Sequence, residues 1–403
     1  MNCNYKMESD NRNSVRLALV VGQVSAVLLL LLSVSLVSCR GGGTSHASNG
    51  GDTIQLHYAE NIVMVRHANY VSVTLLDPWH DGRELHRYLL VSESGQPLDD
   101  VAEATVVHVP LKRSVVFNTA HASLLGMLGA TDQIAGVADL KYMQLPEIHK
   151  RVLADASVDG VSSIVDCGNS MSPDVERIVD LHADAILLSP FENSGGYGRL
   201  EKVGTPIIEC AEYMEGSALG RAEWMLFYGL LFGKFDEARQ LFADVERQYL
   251  SLSQRAREAQ PHRSIITEKL TGNTWYVAGG HSSVGRLIAD AGGSYAWSAD
   301  GHRGSLALPF EEVLDRAGEA DVWVFNDISR EPVTYARLAA EFHGYSQLRA
   351  FRERGAWYVN SLQVPYFEEV SFRPDRLLND YVHILHPELN LPGELYYFKK
   401  VSR

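Results

Sequence analysis

The chain has 403 residues, which is enough for two lobes that each bury a core of their own. Its composition is that of a globular protein, with 46% hydrophobic and 21% charged residues. The formal net charge is −14 and no basic cluster stands out, which excludes nucleic-acid binding because that function needs a concentrated lysine and arginine footprint.

The first 38 residues have the pattern of an export signal. Lys6, Arg12 and Arg16 precede an apolar stretch over residues 17–37. The stretch runs into "LVSC", which resembles a bacterial lipobox and implies cleavage before Cys39 and lipidation of that residue. An uncleaved transmembrane anchor is the alternative, since about 20 apolar residues span a bilayer. Both interpretations predict an exported chain that is tied to a membrane.

The next two segments are predicted to be a tether and a β-rich extension. Residues 39–52 are rich in glycine and serine, which is typical of a flexible linker. Residues 53–104 include "TIQLHYAENIVMVRHANYVSVTLL" and "RYLLVSE", in which apolar and polar residues alternate. This alternation predicts half-buried β-strands.

The rest of the chain predicts two α/β lobes joined by a long helix. Over residues 105–216, the helix "SPDVERIVDLHA" leads into the buried strand "DAILLS", and such alternation favours a parallel sheet. Residues 217–260 are almost entirely helical, and their second segment of about 26 residues would be about 39 Å long. Residues 261–403 return to alternating strands and helices. The predicted fold class is therefore α/β, with two lobes, one backbone helix and a β-rich N-terminal extension.

One short pattern occurs twice, as "SPDVERIVDLHADAILLSP" at 172–190 and "LPFEEVLDRAGEADVWVFND" at 308–327. Proline and carboxylates are favourable in the first turn of any helix, so a single copy needs no functional explanation. Two copies separated by a long helix instead predict lobes of related plan. Glu176 and Glu311 would then occupy comparable corners of the two lobes.

This order of elements resembles the periplasmic iron-complex and cobalamin binding proteins of ABC importers. The resemblance covers residues 105–370 and is carried by "GNSMSPDVERIVDLHADAILLS", "WYVAGGHSSVGRLIADAGG" and "LPFEEVLDRAGEADVWVF". It implies that Glu176 and Glu311 dock into arginine pockets on the two permease subunits, with Glu312 as the alternative to Glu311. Arginine–carboxylate pairs suit this role because they fix geometry as well as charge.

The ligand is expected between the lobes, where loops leave the carboxyl ends of the strands. These loops are rich in aromatic residues, which suits a large, flat or cage-like ligand. The candidate ligand-binding residues are Phe191, Tyr197, Tyr213, Trp275, Tyr276, His281 and Arg303. If the ligand is haem, one of His121, His281 and His302, or a tyrosine, is a candidate axial ligand.

The cysteines and histidines predict no metal site or cofactor belonging to the protein itself. No CxxC pair or Cys/His array is present, so a structural zinc site is not expected. Cys167 and Cys210 are the cysteines that remain after lipidation of Cys39 and removal of the signal. They are either a disulfide or two small hydrophobic residues.

The predicted function is that of a monomeric substrate-binding lipoprotein that captures an iron complex, a ferric siderophore or haem, and delivers it to a permease dimer in the inner membrane. A cobalamin or corrinoid receptor of the same fold is one alternative. An exported chelatase-like enzyme is another, and an adhesion or scaffold lipoprotein is a third. No catalytic residues are predicted, because "GHSSVG" lacks the Gly-x-Ser-x-Gly spacing of a nucleophile elbow.

Overall fold

The structure is a computed structural model that describes residues 51–92, 104–153, 163–192 and 196–403. The predicted signal peptide, nearly all of the tether, and Cys39 lie outside these residues. Within the described ranges, no helix is both long enough and apolar enough to cross a membrane. Residues Asp52–Arg403 form one compact unit, and its hydrophobic core includes residues of the N-terminal sheet, the central helices and the C-terminal lobe.

The N-terminal extension is a five-stranded sheet with strand order β1-β2-β3-β4-β5, and its last strand lies beyond residue 104, where the extension was predicted to end. Neighbouring strands are antiparallel except for β4 and β5, which are parallel. On β2, the buried Ile62 and Met64 alternate with the exposed Val63, as expected for a sheet with one covered face. The strands are β1 (Asp52–Ile54), β2 (Ile62–Arg66), β3 (Tyr70–Leu76), β4 (Glu84–Ser92) and β5 (Thr105–Val109).

The N-terminal lobe is built on a parallel sheet with strand order β12-β11-β6-β7-β8. Every residue of the interior strand β11 is buried, because helices or loops cover both faces of such a sheet. The elements are β6 (Ser114–Val116), α1 (Thr119–Met127), β7 (Ile134–Val137), α2 (Pro146–Val152), β8 (Val165–Asp166), β9 (Gly168–Asn169), β10 (Ser172–Pro173), α3 (Val175–Asp180), β11 (Ala185–Leu188) and β12 (Ile207–Glu209).

Three consecutive helices connect the lobes: α4 (Ala218–Glu223), α5 (Met225–Phe232) and α6 (Phe235–Glu258). Helix α6 has 24 residues and is therefore about 36 Å long. Its buried residues include Ala238, Phe242, Val245 and Tyr249, whose spacing of three or four places them on one face. The predicted backbone helix is confirmed, two residues shorter than the sequence suggested.

The C-terminal lobe has a main sheet with strand order β16-β13-β18-β19-β20, parallel except for β20. Strands β14, β15 and β17 form a separate antiparallel sheet beside it. The elements are β13 (Ser264–Thr267), β14 (Leu270–Thr271), β15 (Thr274–Ala278), α7 (Ser283–Asp290), β16 (Ser294–Tyr295), β17 (Ser305–Leu308), α8 (Phe310–Ala317), β18 (Val322–Asn326), α9 (Tyr335–Glu341), α10 (Arg349–Arg352), β19 (Ala356–Val359), α11 (Tyr366–Glu369), α12 (Pro374–Leu385) and β20 (Lys399–Lys400). The predicted fold class is confirmed.

Buried carboxylates fasten the N-terminal extension to the helices. Glu223 on α4 accepts hydrogen bonds from the backbone N–H groups of residues 57–59, at 2.8–3.1 Å. Glu215 accepts from the N–H groups of Glu60 and Asn61 and from Nε1 of Trp224. These acceptors compensate backbone donors that would otherwise be costly to bury. The extension is therefore an integral part of the compact unit.

Candidate functional site

A cavity of about 510 Å³ lies at the carboxyl edge of the N-terminal sheet, and we call it the N-lobe pocket. It is bordered by the loops that follow β6, β8 and β11, as the general rule for parallel sheets predicts. Its lining includes Phe117, Asn118, Met171, Phe191, Tyr197 and Arg199. Two of the predicted ligand-binding residues, Phe191 and Tyr197, are thus brought together.

Tyr197 is held in place at both its backbone and its hydroxyl. Its N–H donates to Oε1 of Glu201 at 2.6 Å, and its hydroxyl donates to Oε1 of Glu209 at 2.5 Å. Burial and the nearby Glu209 carboxylate raise the pKa of Tyr197 far above its usual value. The phenol is therefore a neutral, fixed element of the pocket wall at physiological pH.

Tyr213 supports the neighbouring loop and does not line the N-lobe pocket. Its hydroxyl donates to the carbonyl of Pro190 at 2.6 Å, one residue before Phe191. Burial raises the pKa of Tyr213 to about 12, with a smaller contribution from Glu212. Tyr213 thus fixes the turn that presents Phe191, while its own ring is partly buried.

Trp275 belongs to the core, so its assignment to a ligand-facing wall is corrected. Its side chain has no exposed surface, and its Nε1 donates to the carbonyl of Thr267 at 2.8 Å. Its ring packs against those of Phe310, Trp323 and Tyr345. The next residue, Tyr276, points to the opposite face of β15 and is 46% exposed. Tyr276 therefore remains accessible to a ligand.

Two glycine-rich loops place His281 and Arg303 near each other in the C-terminal lobe. The N–H of His281 donates to the carbonyl of His302 at 3.2 Å, and the N–H of Gly279 donates to that of Gly304 at 2.9 Å. A Cβ at Gly279 would lie 2.3 Å from the His302 carbonyl oxygen, so only glycine permits this approach. Both predicted residues are exposed at the end of the small sheet.

Arg303 also contacts the N-terminal extension. Its Nη2 lies 3.7 Å from Oε2 of Glu60, and both side chains are exposed. Such a pair contributes little to stability, because solvent screens it and two long side chains must be ordered. The sequence did not predict this contact, since it joins segments more than 200 residues apart.

One of the three histidine hypotheses is corrected by the structure. His121 lies inside α1 rather than in a cleft loop, is fully buried, and places Nε2 2.9 Å from Oε1 of Glu212. As placed, it cannot contact a ligand, and its candidacy as an axial ligand is corrected. His302 is exposed, but its Nδ1 lies 2.9 Å from Oδ1 of Asp300. His281 is the candidate whose ring contacts no polar partner among the described residues.

Large apolar side chains are exposed in the loops and short helices that follow the parallel strands of both lobes. In the N-terminal lobe these loops follow β7, β8 and β11, and in the C-terminal lobe β18 and β19. Their exposure ranges from 48% for Leu362 to 80% for Met171. The residues are Tyr142, Met171, Phe191, Ile328, Leu362 and Phe367. Exposed apolar side chains that gather at one edge indicate a binding surface.

The two lobes meet where the loops after β7 and β19 approach each other. The N–H of Gln144 donates to Oε1 of Glu368 at 2.7 Å, and its side-chain amide donates to the carbonyls of Ser361 and Val364. Glu368 is buried, and burial raises the pKa of its carboxyl group. These contacts place the carboxyl edges of both sheets on the same side of the molecule.

Three polar residues that affect one another electrostatically were missed at the sequence level: Arg221 on α4, Glu268 after β13 and Tyr366 on α11. Arg221 is partly buried, and its Nε has no hydrogen-bond partner among the described residues. Burial lowers the pKa of Arg221, while Glu212 and Tyr366 oppose this effect. Burial also raises the pKa of Tyr366, with Glu268 as the next cause. Arg221 on the connecting helices is therefore affected by Glu212 of the N-terminal lobe and by Tyr366 of the C-terminal lobe.

Glu268 lies at the carboxyl end of β13 and has a left-handed backbone with φ of +65°. Its side chain is exposed, and desolvation by neighbouring protein atoms raises the pKa of its carboxyl group. Non-glycine residues with positive φ carry backbone strain, which often occurs at functional positions. Its place directly after a buried strand is the sequence signal that identifies it.

In the described part of the chain, the cysteines and acidic residues form no site for a bare metal ion. Cys167 and Cys210 are free and buried, so the two-hydrophobe alternative holds in the structure. Burial raises the pKa of the Cys167 thiol to about 12, so the thiolate, the form that binds metal, is disfavoured. Among the described residues, no group of three histidine, cysteine or acidic side chains is arranged to hold a metal ion.

Glu176 and Glu311 each lie in the first turn of a helix, α3 and α8, and both side chains are exposed. Val175, which precedes Glu176, lines the N-lobe pocket. Oε1 of Glu312 lies 3.8 Å from Arg316 one turn further along, whereas Glu311 has no ion pair within the described ranges. Glu311 is therefore the one of the two without an arginine partner in its own helix, although the exposed Glu312–Arg316 pair is weak and leaves Glu312 accessible.

Comparisons with known proteins agree with this architecture. An uncharacterised lipoprotein of Methanocaldococcus jannaschii, MJ0878, is 23% identical over 300 residues, which cover 74% of this chain and 70% of the relative. A periplasmic haem-binding protein from Pseudomonas aeruginosa has a similar structure, with a TM-score of 0.54 and 16% identity over 73% of this chain and 99% of that protein.

A similar structure is also found in the periplasmic vitamin B12 binding protein of Vibrio cholerae, with a TM-score of 0.51 and 13% identity over 68% of this chain and 97% of that protein. At these identities the structural likeness establishes the fold. The sequence model of the periplasmic binding proteins matches residues 115–355, which is more than half of the chain. The chain therefore belongs to the periplasmic binding protein family.

Proposed function

We propose that this protein is the solute-binding component of an ABC importer and that it captures a large metal chelate between its lobes. The observation that carries the proposal is the exposed apolar set on the cleft loops, from Met171 and Phe191 on one lobe to Ile328 and Leu362 on the other. Large apolar side chains at a concave edge gain free energy when a ligand removes them from water. A ligand with a broad apolar face meets this requirement.

The cargo class follows from this surface and from the relatives. An iron complex, either haem or a ferric siderophore, is the preferred cargo, with a corrinoid as the alternative. Haem and vitamin B12 are bound by the proteins of similar fold described above, and both are large and partly apolar. The protein itself requires no cofactor in this proposal, and no covalent step is involved.

Arg221 favours a cargo that carries an acidic group. A buried guanidinium N–H without an acceptor costs free energy, and a ligand carboxylate or another anionic group relieves that cost. Arg199 in the N-lobe pocket is a second cation without an ion-pair partner in the described part of the chain. Haem propionates and the anionic groups of many ferric chelates both meet this requirement.

Delivery to the permease is assigned to Glu176 and Glu311, one on each lobe. Both are exposed at the start of a helix, where a carboxylate is stabilised by the helix dipole and remains free to bind arginine. Lipidation at Cys39 would keep the receptor at the membrane, and a related archaeal protein carries the name lipoprotein. The protein would act as a monomer that docks on a permease dimer.

The binding test compares variants of matched chemistry in residues 51–403. Phe191→Ser and Ile328→Ser each remove an apolar side chain from one lobe, and Leu250→Ser removes a similarly exposed one from helix α6. Haemin, ferrioxamine B and cyanocobalamin are titrated against each protein by isothermal calorimetry. We expect the two cleft variants to weaken binding about tenfold and Leu250→Ser to leave it unchanged. Equal affinities for all four proteins would contradict the proposed site.

A further inference from the structure

Tyr197 separates two cavities. One face of its side chain borders the N-lobe pocket, and the residue also borders a second cavity of about 400 Å³. This second cavity lies between β12 and the N-terminal sheet, which contributes His86 and Thr105 to its lining. The residues that fix the position of Tyr197 therefore also determine the shape of this wall of the N-lobe pocket.

A short chain of contacts connects Tyr197 to the N-terminal sheet through Glu209. The Tyr197 hydroxyl donates to Oε1 of Glu209 at 2.5 Å, and Nδ1 of His86 lies 3.1 Å from Oε2 of the same carboxylate. Glu209 is 8% exposed, and its Oε2 accepts no hydrogen bond of good geometry from any described residue, His86 included. Nδ1 of His86, at 3.1 Å, is the polar contact that this oxygen makes.

The ring of His86 is fixed by its own sheet. Its Nε2 lies 2.8 Å from Oγ1 of Thr105, and it stacks on the ring of Tyr88 with centroids 4.4 Å apart. The Tyr88 hydroxyl donates to the carbonyl of Ile207 and accepts from the N–H of Glu209. If the Thr105 hydroxyl donates to Nε2, the ring proton is on Nδ1, the ring nitrogen that lies nearest Glu209.

We propose that His86 is a positioning residue for ligand binding, and that the N-terminal sheet orients Tyr197 in the N-lobe pocket through His86 and Glu209. The proposal rests on the proposed function, since it concerns the same pocket. It gives the N-terminal sheet a role in recognition in addition to its role in packing. Without the His86 contact, the Glu209 carboxylate loses one of its two restraints, and the Tyr197 ring becomes freer to rotate.

The first test needs no ligand. Hydrogen exchange is followed by mass spectrometry across residues 196–203, which include the Tyr197 N–H bonded to Glu201. In His86→Ala we expect exchange there to be about fivefold faster than in the native protein. His108→Ala is the matched control, because His108 is an exposed histidine on β5 of the same sheet. Unchanged exchange in His86→Ala would overturn the proposal.

The second test measures affinity for haemin, ferrioxamine B and cyanocobalamin. We expect His86→Ala to weaken binding of the compound that the native protein binds by about five- to tenfold, and His108→Ala to have no effect. His86→Asn should restore most of the affinity, because the amide N–H takes the place of Nδ1–H. A purely structural role for His86 predicts no such rescue.

A double-mutant cycle separates coupling from independent effects. Tyr197→Phe removes the hydroxyl that reaches Glu209 and should weaken binding in the native background, but have little further effect in His86→Ala. Additive effects of the two substitutions would overturn the proposal. If none of the three compounds binds, the proposed function fails, and the exchange experiment alone decides whether His86 positions Tyr197.

Discussion

The carbonyl oxygen of Tyr58 lies where a side chain at Gly220 would begin: a Cβ at position 220 would be 2.6 Å from that oxygen. Gly220 is in helix α4, and Tyr58 belongs to the segment that Glu223 holds through backbone hydrogen bonds. The N-terminal extension thus approaches the central helices closely enough that only glycine fits. The N-terminal extension is therefore packed directly against the central helices of the compact unit.

Gly220→Ala tests that close packing. Alanine favours the helix, but its methyl group must displace the Tyr58 backbone, so we expect the free energy of unfolding to fall by about 1–3 kcal/mol. Gly301→Ala is the control, since no atom lies within 4 Å of a Cβ there. Urea denaturation followed by circular dichroism measures both. Equal stabilities for the two variants would refute the contact.

Arg221 is predicted to contribute more to ligand affinity than to the stability of the ligand-free protein. Arg221→Met keeps an unbranched side chain of similar length and removes a buried N–H that has no acceptor among the described residues, but it also removes a positive charge near the buried Glu212. Because these effects oppose each other, we expect the stability of the ligand-free protein to change by no more than about 1 kcal/mol. The same substitution should weaken binding of an anionic chelate about tenfold or more. Calorimetry and urea denaturation give the two quantities. Loss of stability without loss of affinity would assign Arg221 to structure alone.

Asp327 should make stability depend on acid pH. Its carboxylate accepts hydrogen bonds from Lys269 at 2.9 Å, from the Ser329 N–H and from Arg337. Burial would raise the pKa of Asp327, but these donors outweigh that effect and lower it. A lowered pKa in the folded state gives stability that is present above the ordinary aspartate pKa and is lost as the pH falls through the folded value.

Asp327→Asn is therefore expected to cost about 3 kcal/mol at pH 7, because Lys269 and Arg337 lose a buried counter-charge. The difference from the native protein should shrink as the pH falls below about 4. Asp315→Asn is the control, at an exposed position on α8 with no ion pair among the described residues. A difference that stays constant between pH 3 and pH 7 would contradict the assignment.

The docking assignment predicts a separation of uptake from binding. Glu176→Lys combined with Glu311→Lys should abolish uptake by cells and leave ligand affinity in solution within about twofold, because both side chains are exposed on helix starts. Glu312→Lys alone should be tolerated, since Glu312 pairs within its own helix. Uptake that survives the double substitution would show that the permease recognises another surface.

The sequence predicted where the helices and strands lie better than which side of each one faces the core. Helix α6 and strand β11 were found because an amphipathic period and a fully apolar run are local signals. Trp275 and Tyr276 were both expected to face the ligand, although consecutive residues of a strand point to opposite sides, and the sequence did not reveal which side the core covers.

Other features depend on contacts between distant segments. The sheet of β14, β15 and β17 pairs strands across an intervening helix, and no local pattern indicates such pairing. His121 was taken for a loop residue, but Asn118 caps α1 and puts His121 one turn inside it, against Glu212. Glu268 could have been predicted as a candidate site residue from the sequence, because it directly follows a buried strand at the carboxyl edge of its sheet.

The most direct test of the central claim is thermal unfolding of residues 51–403 with and without excess haemin, ferrioxamine B or cyanocobalamin. A ligand present at one hundred times its dissociation constant adds about 2.7 kcal/mol to the stability of the native state. We predict that one compound class raises the midpoint by about 2–4 °C, and that Phe191→Ser abolishes most of the shift. A midpoint that none of the three compounds moves would contradict the assignment of the cleft as a metal-chelate receptor.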